Sequence, residues 1–238
     1  MGTLEDIING VINKTYIIPE EYNVLLDNIK KAESGILHYN SKETDITNGY
    51  GIYRQRHPNA LVFNYIDNIS KPFTKLPSSK WNNKQLLKSL NSVINQDIDR
   101  YLSYLFYKEY LAGAKLELFD KDHVVLVANL YTNSPKGAWM SIQEGLRDMQ
   151  KDGVLNIKLS DLPIVDGVFG GKTARALTLL KEIKTETVYE KVLINKLFKK
   201  SVLLAMKSYY ADITSNNPDK FVGYLKGWDN RIEDLEHN

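Results

Sequence analysis

Glu33 sits where a carboxyl group can do acid–base work. It continues the apolar stripe of Tyr22, Leu25, Leu26 and Ile29, which recur at i, i+3, i+4 and i+7 and so mark one face of an amphipathic helix. A carboxyl group on the core side of a helix C-terminus is drawn out of water and set beside backbone carbonyls, and both effects disfavour its charge. Such a group keeps its proton near neutral pH and can hand it to a leaving oxygen, the first requirement of glycoside cleavage. The second requirement is a neighbouring group to manage water or the developing positive charge. Thr47, Asn48, Tyr50 and Gly51 follow closely enough in the chain to build the facing wall of a cleft; His38 lies near enough to line it, the commoner alternative being an exposed hairpin histidine.

The elements that must position these residues are legible in outline. The helix begins after Pro19 and is expected to stop near Gly35, since glycine accepts the left-handed conformation that ends helices. Residues Ile36 to Tyr53 are polar and β-branched and contain Asn48-Gly49, which predicts a small β-hairpin. Pro58 to Asn83, with Pro58, Pro72 and Pro77 among Ser and Asn residues, reads as a long irregular excursion forming a lip beside the cleft. Helical spacing returns over Leu86 to Leu111, where Tyr101, Tyr104, Phe106, Tyr107 and Tyr110 are expected to serve as core contacts. Val124 to Tyr131 has strand-like composition but helical surroundings and is read as a buried helix. Further helices are expected over Ala138 to Met149 and Thr173 to Ile183, then a central buried one over Val188 to Tyr210, and a last one opened by Pro218. The sum is mainly α.

Composition excludes several classes. The chain has 238 residues, 43% of them hydrophobic and 25% charged, as expected of a folded protein. A net charge of +2 is too balanced for a dedicated nucleic-acid binder, and Lys196, Lys199 and Lys200 read as a solvated helix face. Without cysteine there is no disulfide framework, thiolate nucleophile or cysteine-held zinc. His38, His57, His123 and His237 lack metal-ligand spacing and no Gly-rich phosphate loop occurs, so neither a metal nor another cofactor is expected. Met1 to Glu20 carries Glu5-Asp6 and no long apolar core, so neither a signal peptide nor membrane insertion is expected.

Ala32-Glu33-Ser34-Gly35 followed by Thr47-Asn48-Gly49-Tyr50-Gly51-Ile52 resembles the Glu-Gly-Gly and Ala-Thr-Asn-Tyr-Gly-Ile motifs that open the glycoside hydrolase family 108 muramidases, found among phage endolysins and secretion-linked muramidases. Asn133-Ser134-Pro135-Lys136-Gly137-Ala138 with Ile142-Gln143 is similar to that family's Asn-x-Gly-x-x-x-Ala and Leu-Gln elements. Asp166-Gly167-Val168-Phe169-Gly170-Gly171-Lys172-Thr173-Ala174-Arg175-Ala176-Leu177 resembles the signature of its peptidoglycan-binding-like region, and Gly227-Trp228-Asp229-Asn230-Arg231 its Gly-Trp-Leu-Asn-Arg near the C-terminus. Each motif is short; their order along the chain carries the resemblance. The chain departs from the pattern at Ser34, in place of a glycine, and at Lys42-Glu43-Thr44-Asp45, in place of an Asp-Pro-Gly-Gly turn.

The resemblance implies a lysozyme-like fold with a small β-hairpin next to the catalytic helix. It implies a catalytic region over residues 1–153, with a peptidoglycan-binding-like helical region over 154–238 packed on it. The implied activity is cleavage of the β-1,4 bond between N-acetylmuramic acid and N-acetylglucosamine, with Glu33 as general acid. Asp45 or Glu43 then takes the place of a missing aspartate, or Thr47 holds the attacking water without a second carboxylate. Asn48, Tyr50 and His38 are the candidate substrate-binding residues. For Asp166 to Leu177 the alternatives are glycan binding and a structural turn opening a helix, and the apolar spacing favours packing. Trp228 and Arg231 read as docking contacts of the last helix. The implied partners are bacterial peptidoglycan and a holin, virion or secretion component that delivers a protein made in the bacterial cytoplasm to the periplasm or cell wall. Two other readings fit the same residues: a lytic transglycosylase, and a non-catalytic lysozyme-like structural or wall-binding virion component.

Overall fold

Among the described residues Pro19 opens the first helix, α1 (Glu20–Ala32), its carbonyl accepting the Tyr22 N–H at 3.0 Å. The computed structural model describes residues 18–32, 37–40, 45–47, 54, 58–71, 74–75, 84–94 and 96–237. These form a mainly α protein whose contacts divide it into two compact units, residues 1–112 and 113–238. The expected division at 153/154 differs from this one. α6 (Pro135–Lys151) ends just before that point, and its main partner, α8 (Val188–Asn216), lies beyond it. Among the described residues no helix is long and apolar enough to cross a membrane.

In the first unit Tyr22, Leu25 and Leu26 of the expected stripe lie in the core, while the side chain of Ile29 lies outside what is described. The Tyr22 ring meets Tyr107 edge-on, 4.6 Å between centroids. Two short strands, β1 (His38–Asn40) and β2 (Asp45–Thr47), pair antiparallel, with His38 opposite Thr47 and Asn40 opposite Asp45. This register makes the chain reverse between 40 and 45, so Asn48-Gly49 follows the pair instead of turning it.

The excursion expected over Pro58 to Asn83 instead contains a helix, α2 (Leu61–Ser70). Its apolar residues Val62, Phe63, Tyr65, Ile66 and Ile69 are all buried, and their spacing is helical. Pro58 lies before the helix and Pro72 after it, so the prolines bound the element without interrupting it. At its N-terminus the Leu61 N–H donates to the Glu109 carboxylate at 3.2 Å, a favourable charge at the positive end of the helix dipole. α3 (Lys84–Val93) and α4 (Gln96–Phe106) follow, burying Leu87 and Leu90, then Tyr101, Leu102, Leu105 and Phe106. A π-helical turn, Tyr107–Leu111, carries on from α4. Of the aromatics expected in the core here, Tyr104, Tyr107 and Tyr110 are only half-buried.

The described residues of the second unit form helices joined by loops. α5 (Lys121–Asn133) is the helix expected over Val124 to Tyr131. α6 starts at a favourable cap, the Ser134 hydroxyl accepting the Gly137 N–H with Pro135 next in line. α7 (Gly171–Lys181) comes next, and a reciprocal box between Thr187 and Glu190 starts α8. Along α8 the buried residues Asn195, Phe198, Val202, Met206, Tyr210 and Thr214 recur at helical spacing. α6 comes close to that stripe because Gly145 has no side chain: a Cβ there would lie 2.8 Å from Val202 Cγ2. α9 (Pro218–His237) closes the unit, stacking Trp228 on Tyr210 at 4.4 Å and burying Ile232 and Leu235. α8 is not buried all round as expected; Val188, Tyr189, Leu193 and Leu204 are exposed. At 29 residues α8 outruns α6, which has 17, and one side of α8 stays in water.

Candidate active site and the Gln143-held loop

The described residues before and after position 33 are each anchored. Before it, Lys30 near the end of α1 forms an ion pair with Asp99 of α4. After it, buried Leu37 is clamped by the side-chain amide of Asn91 on α3. Asn91 Oδ1 accepts the Leu37 N–H at 3.1 Å, and Asn91 Nδ2 donates to the Leu37 carbonyl at 2.9 Å. The amide thus satisfies both backbone groups of Leu37 as a neighbouring strand would. The clamp fixes where β1 begins, and the register with β2 then fixes the backbone of Asp45 and Thr47.

Of the predicted site residues, His38, Asp45 and Thr47 lie in this strand pair, with His38 directly opposite Thr47 and Asp45 opposite Asn40. Glu33, Glu43, Asn48 and Tyr50 lie outside the described residues. Sequence reasoning passes over Asn91: it is one polar residue on a helix rich in them, and its role appears only through a contact 54 residues away.

In the second unit the Asp166 to Thr173 segment is organised by Gln143 of α6. This side chain, 1% exposed, accepts the N–H groups of Asp166 and Gly167 at 3.0 and 2.9 Å and donates to Asp166 Oδ1 and the Val168 carbonyl at 3.1 and 3.0 Å. Asp166 also accepts the Val168 N–H at 2.8 Å. That bond first, and the Gln143 amide second, hold the Asp166 carboxyl below its ordinary range. Gly167 is required at its place. Its φ is +75°, and a Cβ there would lie 2.8 Å from the Lys136 carbonyl oxygen. Phe169 packs on Trp139 at 4.8 Å between ring centroids. The turn-and-packing reading of this motif therefore accounts for its Asp, its first Gly and its Phe.

Beside the loop opens a cavity of about 610 Å³, walled by Tyr131, Trp139 and Phe169 with Lys115, Lys136 and Asp166 at its polar edges. Lys115 there adopts a left-handed backbone conformation, φ 52°. Among the described residues no group of three His, Cys, Asp or Glu side chains is gathered as a metal site. Compared with known proteins, the chain matches no family model, no curated protein and no solved structure.

Proposed function

We propose that the protein is an N-acetylmuramidase of lysozyme-like fold, acting in an endolysin or virion-associated lysin, with Glu33 as the general acid. The observation that supports this reading most is that the described residues on either side of position 33 are held: Lys30 of α1 pairs with Asp99, Leu37 is clamped, and the paired strands carrying His38, Asp45 and Thr47 come next in the chain. In this reading Glu33 gives its proton to the glycosidic oxygen as the bond to the muramic acid anomeric carbon breaks. Water held by Thr47, or activated by Asp45, adds to that carbon and passes its proton to the Asp45 carboxylate or, without a second carboxylate, to solvent water. Such a transfer contributes about 10²–10⁴-fold to rate. The ordered motifs from Glu33 to Arg231 support the same assignment.

The deciding experiment is clearing of purified peptidoglycan by the full chain and by Glu33→Gln. The wild type is expected to clear walls and release reducing ends; Glu33→Gln is expected to fold and bind walls but lose nearly all clearing. A variant keeping more than about a tenth of the activity, against the expected 10²-fold or greater loss, ends the assignment to Glu33. A wild type that binds walls without clearing them identifies a wall-binding virion component instead. Anhydro-muramic ends among the products identify a transglycosylase, in which the sugar's own 6-hydroxyl replaces water.

A further inference from the structure

The outer face of α8 combines two features that a solvated helix face does not need together. Tyr189, Leu193, Lys196, Lys200, Leu204 and Lys207 follow one another three or four residues apart, a single stripe along the helix. Every one is exposed, Tyr189 at 76%, Leu193 at 46% and Leu204 at 55%, and Val188 and Val192 widen the apolar end. From Lys191 to Ala211 the helix holds five lysines and no acidic residue. Lys191 is neutralised by Asp120 at 2.7 Å and Lys199 leans on the Glu236 carbonyl at 3.5 Å. Lys196, Lys200 and Lys207 take part in no ion pair among the described residues.

We infer that this stripe is a docking surface for an anionic lipid bilayer, on which α8 lies in the plane of the headgroups. A bilayer interface accepts both halves of the pattern: leucine and tyrosine enter the headgroup–acyl boundary while lysine stems reach back to the phosphates. A second copy of the chain would bring lysine against lysine, and a soluble polyanion would pair the lysines but leave Leu193 and Leu204 in water. The span from Tyr189 to Lys207 is about 27 Å at 1.5 Å per residue, long enough to engage several headgroups. The inference does not depend on the proposed muramidase activity.

Co-sedimentation of the full chain with vesicles tests it. Vesicles of phosphatidylglycerol and phosphatidylcholine in equal parts are expected to carry the protein down, pure phosphatidylcholine to leave it in solution, and about 1 M salt, where the Debye length is about 3 Å, to release most of it. Each lysine near an anionic surface contributes about fivefold to binding, so Lys196→Gln/Lys200→Gln/Lys207→Gln is expected to bind on the order of a hundredfold more weakly. Leu193→Ser/Leu204→Ser is expected to weaken binding about tenfold or more. The lipid and salt arms use the unaltered protein, so they decide even if a variant misfolds. Absence of binding to the anionic vesicles, equal binding to both lipids, or binding that the lysine variant retains overturns the inference. So does loss with the lysine variant alone, which marks a polyanion site, and so does dimerisation abolished by the leucine variant, which marks a contact between copies.

Discussion

Gln143 shows how one buried amide can organise a loop that sequence separates from it by more than twenty residues. It meets two backbone N–H groups, a carboxylate and a carbonyl, using both its acceptor and its donor capacity. Gln143→Ala leaves those partners without it, and we expect a loss of about 1–3 kcal/mol, read as a lowered urea midpoint at unchanged slope. A wild-type midpoint would return the loop to its own turn chemistry. His123 gives a pH signature. Its ring is 3% exposed, its Nε2–H donates to the Asn195 carbonyl at 3.1 Å, and Phe198 meets it edge-on. Burial holds its pKa below the ordinary 6.5, against the Asn195 carbonyl, Asp120 and Asp122, which raise it; Lys191 lowers it further. As pH falls below 6.5 the unfolded chain takes up this proton before the folded one, so stability is full above that value and declines through the window down to the folded pKa. Denaturant midpoints across that range should fall for the wild type and flatten for His123→Gln.

Close approach of α6 and α8 rests on what is missing from Gly145. A leucine there would need the space filled by Val202 Cγ2 and Phe198 Cε2, which lie 2.8 and 3.3 Å from the position its Cβ would take. Gly145→Leu should cost about 1–3 kcal/mol through overpacking despite its better helix propensity. An unchanged melting temperature would mean the two helices separate freely. Elements with both a stripe and a clear start are legible in the sequence: α1 after Pro19 and α9 from Pro218, whereas α6, expected from Ala138, starts three residues earlier at Pro135. α2 is hidden because Pro58, Pro72 and the polar residues between Pro72 and Asn83 make a loop signal that outweighs the ten residues they bound. Asn48-Gly49 is the strongest local turn signal near the strand pair, yet a clamp from Asn91, far along the chain, sets where β1 starts. Exposure along α8 is illegible for a different reason. A helix apolar on many sides does not declare which sides find partners.

The division at 112/113 makes α6 and α8 parts of one unit, and truncation should reveal it. A chain ending at residue 153 keeps α6 but loses α8, exposing Ala138, Ile142, Leu146 and Met149, all fully buried here. It is expected to aggregate or melt without cooperativity, whereas residues 113–238 should melt as one cooperative transition in calorimetry. A soluble, cooperatively melting 1–153 fragment would move the boundary back to where the sequence motifs suggest it. The Asp166 signature looks like the opening of a new region, while the residue that holds its loop, Gln143, stands before position 153.

The stacking of Trp228 on Tyr210 has a spectroscopic consequence. With rings 4.4 Å apart and nearly parallel, and with Tyr224 stacked at 5.9 Å on the same indole, excitation absorbed by the phenols passes to Trp228 and emerges as indole emission. Trp139, in its own aromatic cluster with Phe169 and Tyr131, reports a different place. Replacing Trp81 and Trp139 by Phe would therefore leave Trp228 as the reporter of the α8–α9 junction. Detachment of the last helix could then be followed by tyrosine-excited emission before the rest of its unit opens.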